Sequence, residues 1–313
     1  MQGSLRPQLL EQVSTLNVSV GIPAHNEEGN IAQLLDALRK IPYLDEIIVI
    51  SSSTDRTNLI VQEKQALDSR IVLIRQSQRE GKASAINAIT SSCRSDVIVF
   101  LSADTLPTAS SFASIIRSFD DPRVGAVSGR PVPLNKRKSF GYVAHIMWYV
   151  HWKYLLNLSL NDELAHVSGE MCAFRNKLFT QLPTDVINDD SFMALMWARM
   201  RGFRILLNSN AVVCMKAPGN VIELINQRRR VNAGHLQIQK MTNLNPSVFT
   251  MSYYKHPRAS INTIGSVFRK FGLRALLWGS VLMFIEIVAF ISAFFVSENL
   301  AIWEQVSTTK NLS

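Results

Sequence analysis

Short apolar runs alternate with amphipathic stretches in the amino-terminal third of the chain. The runs have the length of buried strands and cover 18–22, 47–50, 71–74 and 97–101. The stretch after the first run carries apolar residues at helical spacing, namely Ile31, Leu34, Leu35 and Leu38. Helical patterns also follow the second run and cover 83–89. Strands that alternate with helices predict a doubly wound α/β sheet.

Polar segments follow these strands at the point where each one ends. Asp104 comes just past the apolar run 97–101, and the segment 23–27 follows the first run. The segment 51–57 follows the second, and Lys82 follows Gly81 after the third. Ligands of open α/β sheets bind outside the carboxyl ends of the strands. The sequence therefore predicts a ligand site at this edge of the sheet.

A long apolar segment near the carboxyl end predicts a membrane-spanning helix over 274–297. The stretch 275–296 is apolar except for Ser280, Glu286 and Ser292, and it is long enough to cross a bilayer. Trp278 and Trp303 suit the two interfaces. The alternative is a buried helix of a soluble domain. Glu286 is a charged residue within the apolar segment, and we expect it to pair with another helix, to contact a lipid headgroup or to carry a function.

The basic residues around this segment predict its orientation. Basic residues precede it at Arg258, Arg269, Lys270 and Arg274, and only Lys310 follows it. The positive-inside rule then places the large amino-terminal domain in the cytoplasm, as does the polar start of the chain, which lacks a signal-peptide pattern. The predicted divisions are an extension (1–16), a catalytic domain (17–240), an interfacial amphipathic linker (241–273), the span (274–297) and a tail (298–313).

Composition narrows the classes of partner. The 313 residues carry a net charge of +9 and a pI near 9.6, but the basic residues are dispersed and no nucleic-acid-binding module is recognisable. Anionic lipid headgroups are therefore the expected large partner rather than nucleic acid. The three cysteines are far apart, which argues against a disulfide framework and a zinc site.

An ordered set of motifs over 17–235 resembles glycosyltransferase family 2. The matching segments are Pro23-Ala24-His25-Asn26-Glu27, Ser53-Thr54-Asp55, 81–87, Ser102-Ala103-Asp104, Ser168-Gly169-Glu170, Asp189-Asp190 and Gln227-Arg228-Arg229-Arg230. The resemblance implies a GT-A fold, with a Rossmann-like, mixed and mostly parallel sheet flanked by helices. It also implies a nucleotide-sugar donor, a divalent cation (Mg²⁺ or Mn²⁺) and inversion at the anomeric carbon.

The resemblance implies separate roles for two carboxylates. Asp104 is the candidate metal ligand, since Mg²⁺ can be held by one or two carboxylates and the phosphates of the substrate. Asp190 is the candidate general base, with Asp189 beside it to raise its proton affinity. The structural alternatives are a turn-forming Asp104 and an acid that caps a helix predicted over 192–200.

The remaining candidate residues lie on the donor side or the acceptor side. By resemblance, the donor group comprises Pro23, Ala24, His25, Glu27, Asp55, Lys82, Ser102, Ala103, Gln227, Arg228 and Arg230, with Asp104. The acceptor group comprises Ser168, Gly169, Glu170 and Asp189. The alternatives without a role in the reaction are a helix cap for Asp55, a solvated surface position for Lys82 and a lipid-headgroup anchor for the arginine run.

Three positions depart from the family pattern. Ser102 stands where an acid is usual, so metal affinity without nucleotide is expected to be weak. Ser51 replaces an aspartate that contacts the base, so uracil specificity does not follow. Val231 replaces the Trp of the Gln-x-x-Arg-Trp signature of polymerising members.

The resulting hypothesis is an inverting hexosyltransferase that acts on a membrane-associated acceptor, either a polyprenyl phosphate or a lipid-linked saccharide. The aromatic stretch 142–160 fits an interfacial helix or core packing. The alternatives are a subunit of a processive polysaccharide synthase and a non-catalytic nucleotide-sugar-binding protein. The donor base, the sugar and the oligomeric state stay open.

Overall fold

A mixed eight-stranded sheet organises the protein in the computed structural model, which describes residues 16–295, 302 and 307–309. The strands are β1 Val18–Ala24, β2 Glu46–Ser51, β3 Ile71–Arg75, β4 Val97–Leu101, β5 Thr105–Pro107, β6 Val124–Pro133, β7 Met171–Arg175 and β8 Arg204–Met215. Their order across the sheet is β3-β2-β1-β4-β7-β6-β8-β5. The four predicted strands are all present, and β1 and β2 extend past their predicted ends.

Helices flank this sheet and continue beyond it. They are α1 Ile31–Arg39, α2 Thr57–Leu67, α3 Lys82–Ser92, α4 Ala109–Arg117, α5 Gly141–Leu160, α6 Asp189–Met193, α7 Val221–Thr242, α8 Phe249–Ser252, α9 Pro257–Phe271 and α10 Leu273–Ala293. Short 3₁₀ turns occur at Ser118–Asp120, Asn176–Leu178, Arg199–Arg201 and Ser307–Thr309. The predicted α/β class with flanking helices is confirmed.

Strand directions bring the polar segments to one edge. Strands β1 to β4 are parallel, so the carboxyl ends of β1, β2 and β4 meet there. Strand β7 runs antiparallel to β4, with Met171 opposite Leu101, so the segment before β7 reaches the same edge. Strand β8 is parallel to β6, which is antiparallel to β7, and so it also ends on this side. The sheet therefore gathers segments distant in sequence.

Apolar side chains on both faces of the sheet hold it between its helices. Val18, Val20 and Ile22 point to one face and are fully buried in a core that includes side chains of α1 and α4. Each such burial stabilises the fold by about 1.5–3 kcal/mol. On the other face, α3 approaches so closely that a Cβ at Gly21 would lie 2.6 Å from Cγ2 of Ile89. Only a glycine at this position permits that packing.

The helix that carries the acidic pair differs from its predicted course. It begins at Asp189, not at Phe192, continues as a π-helix over Ala194–Ala198 and ends in the 3₁₀ turn before Gly202. The predicted helical run over 192–200 is therefore present, although it starts three residues earlier and changes from α to π and then to 3₁₀ geometry. Asp189 and Asp190 occupy the first turn, and Asn188 takes the N-cap position, so neither acid is the capping residue.

The aromatic helix α5 connects the sheet to the carboxyl-terminal helices. It packs against β8, α9 and α10. Tyr154 is fully buried, and its hydroxyl lies 2.8 Å from Oγ of Ser252. The ring of Tyr149 packs edge-to-face on Phe271 of α9. This part of α5 therefore contributes to packing, as the core alternative expected.

Helix α10 is long and apolar enough to cross a membrane, and it is the one such helix among the described residues. Its 21 residues span about 31 Å, close to the thickness of a bilayer core. Only 17% of its most apolar window is buried, which contrasts with the buried helix of a soluble domain. It begins one residue before the predicted start and ends at Ala293. The predicted roles of Trp303 and Lys310 lie outside the described residues, as does most of the predicted extension and tail.

Candidate active site

A cavity of about 1810 Å³ opens at the edge where the strands end and extends to α10. The segments after β1 and β4, the segment before β7, the first turn of α6 and one side of α7 line it. Nearly all the candidate residues from the sequence contribute to its wall. They are Pro23, Ala24, His25, Glu27, Lys82, Ser102, Ala103, Asp104, Ser168, Gly169, Glu170, Asp189, Asp190, Gln227, Arg228 and Arg230.

Asp55 is the one candidate that does not line this cavity. Its carboxylate accepts hydrogen bonds from the hydroxyl of Thr57 (2.6 Å), the amide of Thr57 (3.0 Å) and the amide of Glu28 (3.2 Å). Burial works in the opposite direction, but these bonds lower the pKa of Asp55 below its usual value. Asp55 thus joins the start of α2 to the loop after β1, which is the structural alternative for this residue.

A lysine and three carboxylates meet in the middle of the cavity. Nζ of Lys82 lies 3.0 Å from Oδ2 of Asp189. A Cβ at Gly169 would lie 3.0 Å from Oδ2 of Asp190 and 3.4 Å from Nζ of Lys82, so any larger residue would push against these two side chains. The hydroxyl of Ser168 donates to Oε2 of Glu170 at 2.6 Å. The predicted acceptor-side residues thus lie beside the predicted base and Lys82.

Burial and the neighbouring charges change the pKa values of the groups in this cluster. Burial raises the pKa of Asp189 and of Asp190, and the nearby Lys82 opposes that shift. Burial, with a contribution from the charge of Asp190, raises the pKa of Glu170 to about 7. Burial opposes the ammonium of Lys82, but the two aspartates outweigh it and raise the pKa of that lysine. A carboxylate of raised pKa is a stronger base, which suits proton abstraction from an acceptor.

The segment after β4 presents one carboxylate. Asp104 and Ser102 both line the cavity. The hydroxyl of Ser102 donates a hydrogen bond to the carbonyl oxygen of Gly169 at 3.0 Å. Among the described residues, no group of three His, Cys, Asp or Glu side chains is arranged to hold a metal by itself. The donor set at Asp104 fits a hard cation that takes its other ligands from substrate phosphates and water.

Two further segments border the predicted donor side. The ring Nδ1 of His25 lies 3.0 Å from the carbonyl oxygen of Ser52. Ser51, which stands where a base-contacting acid is usual, is fully buried and donates to the hydroxyl of Ser53 at 2.9 Å. Its hydroxyl is therefore directed into the loop that follows β2.

The arginine run on α7 faces two directions. Nε of Arg228 lies 2.7 Å from Oε1 of Glu286 on α10, and each side chain is 18% exposed. Arg230 lies near the carboxylate cluster, although burial lowers its pKa. Of the three alternatives for Glu286, the structure shows a partner on another helix. The diphosphate contact predicted for Arg228 stays a prediction.

Three histidines in the cavity wall were not singled out from the sequence, whereas Trp148 beside them belongs to the aromatic stretch 142–160. His151 and Trp148 lie on α5, His166 lies before β7, and His235 lies on α7. The three histidines are far apart in the sequence, and only the packing of three separate elements brings them together. Asn188 is a further case, because its amide donates to the carbonyl of Val231 at 2.7 Å and so fixes α6 to α7.

The fold and this site define a GT-A glycosyltransferase, and the comparisons with known proteins agree. Residues 19–182 match the family model described as glycosyl transferase family 2. The match covers more than half of the chain, and the protein therefore belongs to glycosyl transferase family 2. The predicted family and enzyme class are confirmed.

Proteins of two bacteria are similar in sequence to this chain. Poly-β-1,6-N-acetyl-D-glucosamine synthase of Staphylococcus aureus is 27% identical over 228 residues, which are 68% of this chain and 53% of that protein. A probable glycosyltransferase of Bacillus subtilis is 32% identical over 157 residues, 44% of this chain and 37% of that protein. The chain spans about half or less of the length of these relatives.

Solved structures share the fold. A mannosyltransferase from Pyrobaculum calidifontis, in complex with GDP-mannose and Mn²⁺, superimposes with a TM-score of 0.66 at 23% identity and covers 90% of this chain and 88% of its own. Glucosyl-3-phosphoglycerate synthase from Mycobacterium tuberculosis, with Mn²⁺ and UDP, gives a TM-score of 0.52 at 20% identity over 74% of this chain and 83% of its own. Each of these two structures therefore holds Mn²⁺ together with a nucleotide or nucleotide-sugar.

Proposed function

We propose that this protein transfers a sugar, with inversion, from a nucleotide-sugar donor to an acceptor held at a membrane. The observation that carries the proposal is the single cavity that extends from Asp104 at the sheet edge to the apolar helix α10. A donor at the sheet edge and an acceptor from the membrane side would meet at Asp190. The described parts of this cavity offer both a charged end and an apolar end.

The donor half of the reaction rests on Asp104 and Lys82. Asp104 would hold Mg²⁺ or Mn²⁺ together with the diphosphate, and such an ion would stabilise the charge that develops on the leaving group. Lys82 is the first residue of α3, whose exposed amides favour a phosphate at this helix end. The Mn²⁺ complexes of the two solved relatives support this assignment.

The acceptor half rests on Asp190. Its carboxylate lies beside Gly169 and Lys82 and would take the proton of the incoming hydroxyl. Asp189 is the carboxylate in contact with Lys82, so we assign Asp189 to positioning the lysine and Asp190 to the chemistry. Ser168 and Glu170 would orient the acceptor at the mouth of the same cavity.

The membrane assignment rests on α9 and α10. Large apolar side chains of α10 are exposed, including Leu276, Leu277 and Phe284, and such a surface is stable in lipid but not in water. Arg269 and Lys270 occupy the last turn of α9, where α10 begins. We propose that this basic turn faces anionic headgroups on the cytoplasmic side, in a single-pass arrangement.

Polymer synthesis is a second candidate, favoured by the staphylococcal relatives that are named as polysaccharide synthases. One observation opposes it, because Val231 stands where, by the family resemblance, polymerising members carry a Trp. Membrane transfer to a polyprenyl phosphate or to a lipid-linked saccharide is therefore the proposed reaction.

The test is sugar transfer by the full chain reconstituted in lipid nanodiscs. Radiolabelled nucleotide-sugars with different bases and sugars are supplied with Mg²⁺ or Mn²⁺ and extracted membrane lipids, and lipid-bound label is counted. We expect Asp190→Asn to retain donor affinity and to lose at least a hundredfold in turnover. Asp185→Asn, an exposed acid on the same loop, is the matched control and should behave like the unmodified enzyme.

Three outcomes would overturn the proposal or one of its parts. Donor binding without transfer or hydrolysis would make the protein a nucleotide-sugar sensor. Unchanged turnover of Asp190→Asn would remove Asp190 from the role of base, and long polymeric products would favour polymer synthesis.

A further inference from the structure

A group of aromatic side chains, which we call the histidine chamber, lies in the cavity next to the carboxylates. It consists of His151, His166, His235 and Trp148. The rings of His151 and His166 are 5.5 Å apart, those of His166 and His235 are 6.1 Å apart, and Trp148 lies 5.3 Å from His151, all edge-to-face. His235 is 2% exposed and His166 is 4% exposed. Three separate elements thus contribute to one compact wall.

Several polar atoms of this wall lack hydrogen-bond partners. Nε2 of His151, Nδ1 of His235 and Nε1 of Trp148 are buried and have no such partner within the described part of the chain. Leaving a buried donor or acceptor unpaired costs about 1–3 kcal/mol, so a cluster of them in a cavity wall indicates a polar ligand. The ring of His166 is already engaged, because its Nδ1 lies 2.8 Å from Oγ of Ser191.

The charges around the chamber disfavour an anionic ligand. Burial lowers the pKa of all three histidines, and that of His166 falls to about 3, so the rings are neutral near pH 7. Arg228 is paired with Glu286 at 2.7 Å, and Arg230 lies near Asp189, Asp190 and Glu170. The two arginines whose charges act on the histidines are therefore accompanied by acids, so neither offers a spare positive charge to a phosphate in the chamber.

A metal is disfavoured as well. The three imidazoles meet edge-to-face instead of converging on one point, and no metal-holding group of three such side chains occurs among the residues that the structure describes. The ligand that fits is neutral and carries several groups that both donate and accept hydrogen bonds.

We propose that the histidine chamber binds a pyranose of the acceptor, so that the nucleophile is a sugar hydroxyl and not the phosphate of a polyprenyl phosphate. Each neutral imidazole offers one donor and one acceptor, which is the pattern that a hydroxyl matches. Ser191, bonded to His166, directly follows Asp190, so a sugar in the chamber would place a hydroxyl near the proposed base. The proposal rests on the proposed function and selects one of its two acceptor classes.

The test compares two acceptors with the full chain in nanodiscs. One acceptor is polyprenyl phosphate, and the other is a polyprenyl-diphosphate-linked disaccharide, each with the donor found in the transfer assay. We expect label on the disaccharide lipid only. His235→Leu should raise the KM for this acceptor about tenfold while the donor Kd changes less than twofold, and His235→Asn, which keeps a donor and an acceptor, should restore most of it. His256→Leu, outside the chamber, is the matched control.

Trp148→Phe guards against misfolding of a buried variant, since it keeps an aromatic ring and removes only the unpartnered N–H. It should raise the acceptor KM about threefold, with an unchanged melting temperature. Transfer to polyprenyl phosphate alone, or an unchanged acceptor KM in His235→Leu and Trp148→Phe, would overturn the proposal. Loss of transfer to both acceptors with intact donor binding would also overturn it. Absence of donor binding in the unmodified enzyme would instead overturn the proposed function itself.

Discussion

Replacement of Lys82 by Met tests whether the acidic pair depends on its lysine. In the structure, Nζ of Lys82 lies 3.0 Å from Oδ2 of Asp189. Nζ of Lys82 and Oδ2 of Asp190 also lie on the same side of Gly169, since both are within 3.4 Å of the position that a Cβ would take there. Methionine has a similar length and no charge. The substitution therefore removes the nearest cation of the cluster and leaves its shape almost unchanged.

The size of the expected pKa change follows from the distance between the charges of Lys82 and Asp189. Two unit charges 3.0 Å apart attract by about 5.5 kcal/mol at an effective dielectric constant of ~20. The side chain of Lys82 is 23% exposed, so solvent screening reduces this to about 1.5–3 kcal/mol. Since 1.36 kcal/mol corresponds to one pKa unit, we expect the pKa of the aspartate pair to rise by about one to two units.

The sign of the pH effect follows from the role of a base. A base works when it is deprotonated, so a raised pKa moves the acidic limb of the kcat profile to higher pH. Lys82→Met should be most impaired at low pH and recover as pH rises. The assay is kcat for sugar transfer at saturating donor and acceptor. Lys64→Met is the control, because it removes a lysine that lies 2.7 Å from Asp36 and away from the cavity. The acidic limb of its kcat profile should stay at the pH of the unmodified enzyme.

One result would refute this reasoning. If the acidic limb of Lys82→Met stays in place while the KM for the donor rises, Lys82 serves the diphosphate and does not govern the pair. The donor KM is therefore measured in the same series.

Three further substitutions probe separate parts of the site. Asp104→Asn should raise the Mn²⁺ concentration for half-maximal activity at least tenfold, measured by metal titration after EDTA treatment, and an unchanged titration would remove Asp104 from the metal site. Gly169→Ala should lower kcat at least tenfold at unchanged donor Kd, because its Cβ would lie 3.0 Å from Asp190, and a normal kcat would show that this carboxylate has room to move. Glu286→Gln should lower the free energy of unfolding by about 3 kcal/mol in denaturant titration, since it leaves the charge of Arg228 buried and unpaired. The double variant Arg228→Gln/Glu286→Gln should recover part of that loss, and equal losses would argue against a coupled pair.

The four amino-terminal strands were predictable because each is a short apolar run, whereas β5 to β8 were not predicted. Val97–Leu101 is fully buried in the structure, as a continuous apolar run between two layers of helices requires. The position of Asp104 followed from the same logic, since residues just past parallel strands meet at one edge. Local pattern and strand direction were therefore sufficient to place Asp104 at the edge of the sheet where the cavity opens.

The contacts between distant segments were not predictable in this way. Periodicity indicates which face of a helix is buried but not which side chain it meets, so neither the pair of Arg228 with Glu286 nor that of Lys82 with Asp189 followed from spacing. The π-helix after Met193 was missed for a related reason, because tertiary packing, and not local propensity, decides such an insertion.

The ion pair between α7 and α10 changes what the apolar helix does in this protein. A tether needs only to hold the catalytic domain near the bilayer, and its side chains need not face the site. Helix α10 instead lines the cavity and places Glu286 against Arg228 of the family motif, two residues from Arg230 beside the acidic cluster. Removing α10 would therefore open this end of the cavity and take from Arg228 its partner Glu286. The helix forms one wall of the cavity, so in the proposed reaction one element would set both the position of the bilayer and the position of the acceptor.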